Sequence, residues 1–360
     1  MTPPRHLREK TVQHRLVPTV AALAALLLAA TACGDDAHSD GTPSAGDARR
    51  QPAAAGQPAA PPARVPADPA AVGADETGAV PVLMYHQIVT SPKSVYDRTP
   101  EDFRAELERL AREKYVPVTA AEYASGRIDI PAGTHPVVLT FDDSSKSQFR
   151  LDPGGGAAPD TAVGILLDVA RTHPGFRPVA TMFVNADPFG DPGGRKTLPW
   201  LHDHGFEVGN HTRDHANLRS ATPEAATRQI AEQQAMILAA LPGATVDTLA
   251  LPFGAEPKPA SLAAKGNSGT VAYEHRGVFL VGANPAPSPF APTFDPGAVA
   301  RIRSAPATGE DARYGSTAWL DQLADGRVRR YTSDGDPTTI AYPRGGTAPA
   351  AAYTSRSRAY

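Results

Sequence analysis

Cysteine is almost absent from this chain of 360 residues, because Cys33 is the only one. A single thiol excludes a disulfide within the chain, and it also excludes a metal site built from thiolates. Any metal site in this protein must therefore be assembled from histidine and carboxylate side chains.

The chain also lacks an excess of positive charge. Its formal net charge is −3, and residues 1–32 hold four basic side chains and one acidic side chain, so removing them would move the net charge to −6. A chain of this charge has no basic footprint for nucleic acid, which excludes nucleic acid as a partner. Hydrophobic residues at 41% and charged residues at 20% suit a soluble globular enzyme, which we expect to be monomeric.

An apolar run long enough to cross a bilayer is missing near the N-terminus. Residues 20–30 form an unbroken apolar run of eleven residues, whereas a spanning helix needs about 20. The run follows a basic stretch and precedes Thr31-Ala32-Cys33, an order typical of a bacterial lipoprotein signal. We expect residues 1–33 to direct export, with Cys33 as the lipid attachment point on the membrane. The alternative is an ordinary signal peptide cut near Ala32.

Large apolar residues are scarce between the signal and the rest of the chain. Residues 34–78 consist mainly of Ala, Pro, Gly and Asp, and they show no period. Such a segment buries too little surface to offset the entropy of ordering, so it is predicted to be a disordered tether. The expected location is the outer face of the cell membrane, or the medium if the protein is secreted.

From residue 79 onward, short apolar runs alternate with amphipathic stretches. Strands are predicted at residues 80–84, 136–141, 179–184, 207–209, 248–251, 271–272 and 278–281. Helices are predicted at residues 100–114, 160–172, 199–204 and 223–240. This alternation predicts an α/β fold with a largely parallel sheet, open or closed into a barrel.

The C-terminal part has weaker patterns. Residues 306–343 are predicted to form an extension, with a possible hairpin between 327–331 and 338–342 around a Ser-Asp-Gly-Asp-Pro turn. Residues 344–360 are predicted to be a disordered tail.

Three stretches hold the residues that could carry chemistry. Asp142 and Asp143 end an apolar strand, His211 and His215 follow a short strand, and residues 251–254 (Leu-Pro-Phe-Gly) follow another. In parallel α/β folds these strand ends face the active site. Two His and one carboxylate would leave a divalent metal with open positions, as in catalytic zinc sites. The second carboxylate would then be free to act as a general base.

The order of these stretches resembles that of a known family. Residues 140–143, 210–215 and 251–254 are similar to the first three motifs of the polysaccharide deacetylases, the carbohydrate esterases with a NodB homology domain. Residues 81–88 and 180–184 also resemble strands of that family. The resemblance covers roughly residues 79–305, and it implies a distorted (β/α) barrel.

The resemblance implies a role for each matching residue. Asp142 would be the general base, and Asp143, His211 and His215 would hold a divalent metal, expected to be Zn²⁺. Pro252 and Phe253 would lie at the oxyanion or substrate position, the Phe253 N–H being the candidate donor. His86 could line the pocket, although a hydrogen-bonded structural histidine is the equally weighted alternative.

The sequence departs from the family pattern at three points. Ala250 stands where an Arg usually orients the catalytic Asp, and Ser144 stands where Gly often follows the Asp pair. No His in the usual final Leu-x-His pattern is found. Arg301 is a candidate replacement for the missing Arg, the alternative being a surface arginine.

These observations predict a metal-dependent hydrolase that removes N-acetyl or O-acetyl groups from an extracellular or cell-surface polysaccharide and releases acetate. Two alternatives remain open at this stage. One is a catalytically impaired, metal-stabilised lipoprotein that binds glycans, and the other is an esterase of the acetylxylan type.

Overall fold

The structure, a computed structural model, describes residues 67–309 and 311–360. Its strands are β1 Val82–Tyr85, β2 Tyr115–Val118, β3 His135–Phe141, β4 Thr181–Val184, β5 Glu207–Asn210, β6 Thr248–Ala250, β7 Lys265–Ser268, β8 Val271–Glu274, β9 Gly277–Phe279, β10 Ile302–Arg303, β11 Ile340–Tyr342 and β12 Ser357–Ala359. Its α-helices are α1 Pro69–Val72, α2 Pro100–Arg112, α3 Ala120–Ala124, α4 Ala162–Thr172, α5 Thr197–Asp203, α6 Pro223–Ala240, α7 Ser261–Ala264 and α8 Ser316–Ala324.

Threonine residues begin several of the helices. The Thr99 side chain accepts a hydrogen bond from the Asp102 N–H at 3.0 Å, and Pro100 occupies the first turn of α2, where its missing N–H costs nothing. Thr119 and Glu122 form a reciprocal capping box at the start of α3. These caps fix the residue at which each helix begins, and so they fix where the loop before that helix ends.

The main sheet has eight parallel strands. Seven follow the order β10-β1-β3-β4-β5-β6-β9, and β2 pairs with the first half of β3. Every residue of β3 is buried, as expected for a parallel strand that is covered on both faces. Bridges from Phe279 to Val299 and from Gly282 to Ile302 join the β9 edge to β10, so the two ends of the sheet meet.

The joined ends curl the sheet into a distorted barrel, which confirms the predicted fold class. Helices α2 and α4 pack together on the outside, where Phe103, Leu107 and Leu166 enter the core. β7 and β8 form a separate antiparallel hairpin, so the strand predicted at 271–272 lies outside the barrel. Among the residues that the structure describes, no helix combines the length and apolar character needed to cross a bilayer.

The predicted tether ends earlier than residue 78. Residues 67–78 are packed against the domain, with Ala74 and Glu76 buried. Asp75 forms a bridge to Thr332, and the Ala67 N–H donates to the Asp334 carbonyl. The signal, Cys33 and residues 34–66 of the tether lie outside the described residues.

The predictions for the C-terminal part were wrong in two respects. β11 pairs in parallel with β12 rather than with residues 327–331, which instead contact the N-terminal segment through a bridge from Arg330 to Ala79. Residues 344–360 are ordered, because they form a 3-10 helix and β12, and because the Tyr360 hydroxyl donates to the Ala74 carbonyl at 2.8 Å. Contacts between distant segments therefore order this tail.

Candidate metal and catalytic site

The site is built at the carboxyl edge of the barrel. Asp142 and Asp143 follow β3, and His211 follows β5. Ala250 ends β6, and His86 follows β1 by one residue. Because neighbouring parallel strands end at the same edge, residues far apart in the sequence meet there.

Asp142 is buried in a two-pronged ion pair with Arg301. The Arg301 guanidinium donates to both carboxylate oxygens of Asp142 at 2.7 Å, and both side chains are inaccessible to solvent. Arg301 also donates to the Leu280 carbonyl at 2.8 Å and to the Thr140 hydroxyl at 3.2 Å. Burial alone would raise the pKa of the Asp142 carboxyl, but the charge of Arg301 and the neighbouring His211 hold it well below its ordinary value.

Arg301, the candidate replacement for the missing Arg of the family pattern, thus contacts Asp142 directly. It precedes β10 and reaches Asp142 from the point where the sheet closes. The alternative of a surface arginine is wrong, since Arg301 is among the largest fully buried side chains of the described residues.

Asp143, His211 and His215 come together beside this pair. One ligand atom from each of the three lies within 4.8 Å of the others. His211 Nε2 is 3.4 Å from the Asp143 Oδ1 atom, and His215 Nε2 is 3.3 Å from the same oxygen. Burial acts to raise the pKa of Asp143, but the contact with His211 lowers it, so this carboxyl is ionised.

The hydrogen bonding of His211 supports the fit of a cation at these residues. Its Nδ1 lies 2.9 Å from the Ala250 carbonyl, which can only accept, so Nδ1 carries the proton. In the neutral ring Nε2 is then a bare lone pair, and this nitrogen is buried with no hydrogen-bond partner. It faces the Asp143 carboxylate, another acceptor. A divalent ion between the Nε2 atom and the carboxylate would remove the repulsion between these two acceptors. The hydrogen bond from Nδ1 is the contact that usually orients a histidine whose other nitrogen binds a metal.

Backbone strain is concentrated in the same three stretches. Seven non-glycine residues of the described chain have positive φ, and Asp143, Ser144, Thr212, His215 and Phe253 are five of them. Such conformations are costly and are retained where the surrounding structure fixes them, commonly at functional sites. Ser144 has φ 47°, which explains why glycine would suit that position.

The Leu-Pro-Phe-Gly stretch forms one wall of the site. Phe253 is 64% exposed, and its ring lies edge-to-face against His215 with centroids 4.6 Å apart. Pro252 is buried at the start of a short 3-10 helix. The exposed ring is held open to solvent beside the two histidines, where a substrate could contact it.

His86 lies close to the carboxylates. Burial lowers its pKa, while the charges of Asp142 and Asp143 act to raise it. Its Nδ1 is buried without a hydrogen-bond partner, and its ring packs on Tyr96 at 4.9 Å between centroids. The alternative is a structural histidine held by hydrogen bonds from its ring. The Nδ1 atom of His86 gives no support to that alternative, because it makes no hydrogen bond.

Two amides that hold the site were missed by the sequence analysis. The Gln148 side chain donates to the carbonyls of His86, at 2.7 Å, and Asp142. The Asn185 side chain donates to the carbonyls of His211 at 2.7 Å and Thr212 at 2.9 Å. Asn185 directly follows the recognisable strand β4, and this position at a strand end could have identified it as a candidate site residue. Gln148 stands in a loop whose sequence shows no pattern.

The fold and the site define an α/β-barrel protein whose strand ends carry a His₂-carboxylate cluster next to a buried carboxylate. Residues 129–269 match the family model described as polysaccharide deacetylase. This segment of the chain is therefore similar to the polysaccharide deacetylases. No curated protein matches the sequence.

Several solved structures are similar to this chain. Deacetylase PplD of Streptococcus pyogenes, in complex with acetate, is 20% identical over 66% of this chain and 96% of its own, with a TM-score of 0.48. A putative polysaccharide deacetylase from Bacillus anthracis is 18% identical over 68% and 69%, with a TM-score of 0.47. IcaB from Ammonifex degensii is 21% identical over 69% and 96%, with a TM-score of 0.45.

Proposed function

We propose that this protein is an exported, metal-dependent deacetylase that releases acetate from a polysaccharide. The observation that carries the proposal is the Asp143, His211 and His215 cluster, which lies inside the segment that matches the family and beside the Asp142–Arg301 pair. The metal we propose is zinc, because two imidazoles and one carboxylate are ligands that zinc commonly takes in catalytic sites.

The chain's own residues would share the work of the reaction. A bound divalent ion would supply Lewis-acid polarisation of the acetyl carbonyl and an acidified water. Asp142 would accept the proton of the attacking water, and Arg301 would hold its carboxylate in one orientation. The Phe253 N–H would donate to the carbonyl oxygen as negative charge develops there.

His86 is the candidate for delivering a proton to the departing sugar nitrogen. An amine is a poor leaving group unless it is protonated, so a positioned acid is needed. His86 is half-buried near both carboxylates and has a free ring nitrogen, and it directly follows β1, the strand next to β3. It would compensate for the absence of a His in the usual final motif.

One observation favours the alternative of an impaired, glycan-binding protein. Both oxygens of Asp142 are engaged by Arg301, and its pKa is held far below neutrality. A base with so low a pKa provides little driving force for proton transfer. A carboxylate has about four lone-pair positions, however, so the pair leaves acceptor sites for a water molecule.

Acetate release by the purified chain tests the proposal. We expect zinc-dependent release from N-acetylated polysaccharide, and a fall of about 10²-fold or more in Asp142→Asn with zinc content unchanged. His211→Ala should instead lose the metal, since one of three ligands is gone. Activity on an acetyl ester but not on an amide would favour the acetylxylan-type esterase. Fully zinc-loaded protein that releases no acetate from either substrate type would rule out the enzyme.

A further inference from the structure

A small cleft opens beside the site and has no role in the proposed chemistry. Its lining includes Tyr96, Tyr314, Arg303 and Asp311. Its volume is about 180 Å³, below the roughly 300–1,000 Å³ of typical small-molecule pockets. The cleft can therefore hold one six-membered ring of a ligand, but not a complete drug-sized molecule.

This cleft lies next to the reaction centre, with Met84, Tyr96 and Arg303 in its lining. Met84, which lines it, stands two residues before His86, and Tyr96 packs on the His86 ring at 4.9 Å. Arg303 is two residues beyond Arg301 and ends β10, the short strand that Arg301 precedes. Met84 and Arg303 are paired between β1 and β10.

The cleft presents two partly exposed aromatic rings. Tyr96 is 38% exposed and Tyr314 is 42% exposed, and both rank among the few exposed large hydrophobic side chains of the described residues. Arg313 lies over the Tyr314 ring at 4.5 Å. An aromatic face suits the carbon–hydrogen face of a pyranose ring, because it removes apolar surface from water without hiding polar groups.

The polar groups of the cleft match sugar hydroxyls. Arg303 lies over Tyr96 at 5.5 Å and contacts Asp311 only at 3.5 Å, and its Nε is buried without a hydrogen-bond partner. A guanidinium offers donors only and a carboxylate acceptors only, whereas a hydroxyl both donates and accepts. A pair this loosely joined can be bridged by the hydroxyls of a bound sugar.

We propose that this cleft is a subsite for the sugar ring adjacent to the one that loses its acetyl group. The proposal rests on the proposed function, since it takes the metal cluster as the place of hydrolysis. It predicts that a chain of at least two sugars is a better substrate than a single sugar, because one ring would occupy the reaction centre and the next would rest on Tyr96 and Tyr314.

The test compares a tetramer of β-1,4-linked N-acetylglucosamine with the N-acetylglucosamine monomer, using the full zinc-loaded chain. We expect Tyr314→Ala to lower kcat/KM for the tetramer about five- to tenfold, mostly through KM, because one stacking contact is lost. Monomer turnover should be unchanged. Tyr314→Phe should keep the tetramer activity, and Val95→Ala, at an exposed neighbouring position outside the cleft, serves as the control.

Equal loss on tetramer and monomer, or no loss on either, would overturn the subsite while leaving the deacetylase intact. If the wild type releases no acetate, the proposed function fails, and calorimetric titration of the tetramer then decides on the subsite. Binding weakened by Tyr314→Ala supports it, and absent binding, or binding unaffected by the substitution, overturns it.

Discussion

At the scale of single residues, the Asp142–Arg301 pair is the feature on which catalysis should depend most. Arg301→Lys keeps a positive charge but cannot donate to both oxygens at once, because an ammonium lacks the planar fork. We expect acetate release to fall by about 10- to 100-fold through misorientation of Asp142, a smaller loss than removing the base itself. Zinc content should stay at the wild-type level, since Asp143 and both histidines are untouched. Wild-type turnover in this variant would show that the carboxylate needs no such support.

Ala250 offers a second prediction about the same pair. Its side chain is fully buried in an apolar cluster that includes Phe183 and Phe279, and the Asp142 oxygens are already engaged. Ala250→Arg, which restores the usual family residue, would place an unpaired guanidinium in that cluster, and we expect it to destabilise the fold by about 3–5 kcal/mol. Thermal unfolding measures this, with Ala250→Ser as the small-residue control. A variant that stays stable and gains activity would contradict the account.

The sequence predicted that Asp143, His211 and His215 lie together, because residue type, spacing and strand ends coincide at these positions. It could raise Arg301 only as a candidate, because nothing in a linear pattern shows that residue 301 reaches residue 142. The proton on His211 Nδ1 was beyond sequence analysis, since its partner is a backbone carbonyl at Ala250.

At the scale of elements, the N-terminal segment and the C-terminal extension hold each other. Gly78 lies against the backbone of Arg330 and Tyr331, and a Cβ at this position would be 2.6 Å from the Tyr331 nitrogen. Gly78→Ala must therefore separate the two segments, and we expect a loss of about 1–3 kcal/mol in the free energy of unfolding. Gly156→Ala is the matched control, because its Cβ would meet nothing closer than 3.4 Å. Equal effects in denaturant unfolding would mean that the close approach at Gly78 is unimportant.

The same elements show where sequence analysis failed. Residues 67–78 and 344–360 have few large apolar side chains, so their composition predicts disorder. They are ordered by hydrogen bonds between distant segments, such as the Ala341 N–H donating to Glu76 at 2.8 Å. Such pairings leave no periodicity, whereas α2 and β3 were predictable because a single apolar face or run defines each of them.

At the scale of the whole molecule, stability should depend on pH through Glu76. Burial and the charge of Asp334 raise the pKa of Glu76 to about 8, so the folded state binds a proton that the unfolded chain releases above about pH 4.5. Burial lowers the pKa of His135 and His275 to about 4, which costs stability as pH falls below about 6.5. We therefore expect maximal stability near pH 6.5 and a loss between pH 6.5 and 8.

Glu76→Gln should abolish that loss above pH 6.5, because an amide stays neutral while keeping acceptor capacity. Denaturant unfolding between pH 6 and 8 measures the slope, and exposed Glu224→Gln is the control. A slope that persists in Glu76→Gln would assign the pH dependence to another group.

The location of the whole protein remains a prediction carried by Cys33. We propose that this thiol is lipidated after export, on the strength of its place behind a short apolar run. Cys33→Ser should move the protein from the membrane fraction into the medium, as judged by fractionation and immunoblotting. Continued membrane association would point to a different anchor.

The position of Arg301 also orders events during folding. The proposed metal ligands all lie between residues 143 and 215, whereas Arg301 belongs to the last segment that joins the barrel, 159 positions after its partner Asp142. A chain that emerges from its N-terminus can therefore assemble the metal cluster before the closing strand arrives. Ion uptake and hydrolytic competence become separable stages, and in refolding experiments zinc capture should precede the return of acetate release. Closure of the barrel would then be the step that completes the proposed catalytic site, since Arg301 contacts Asp142 only when the last strand is in place.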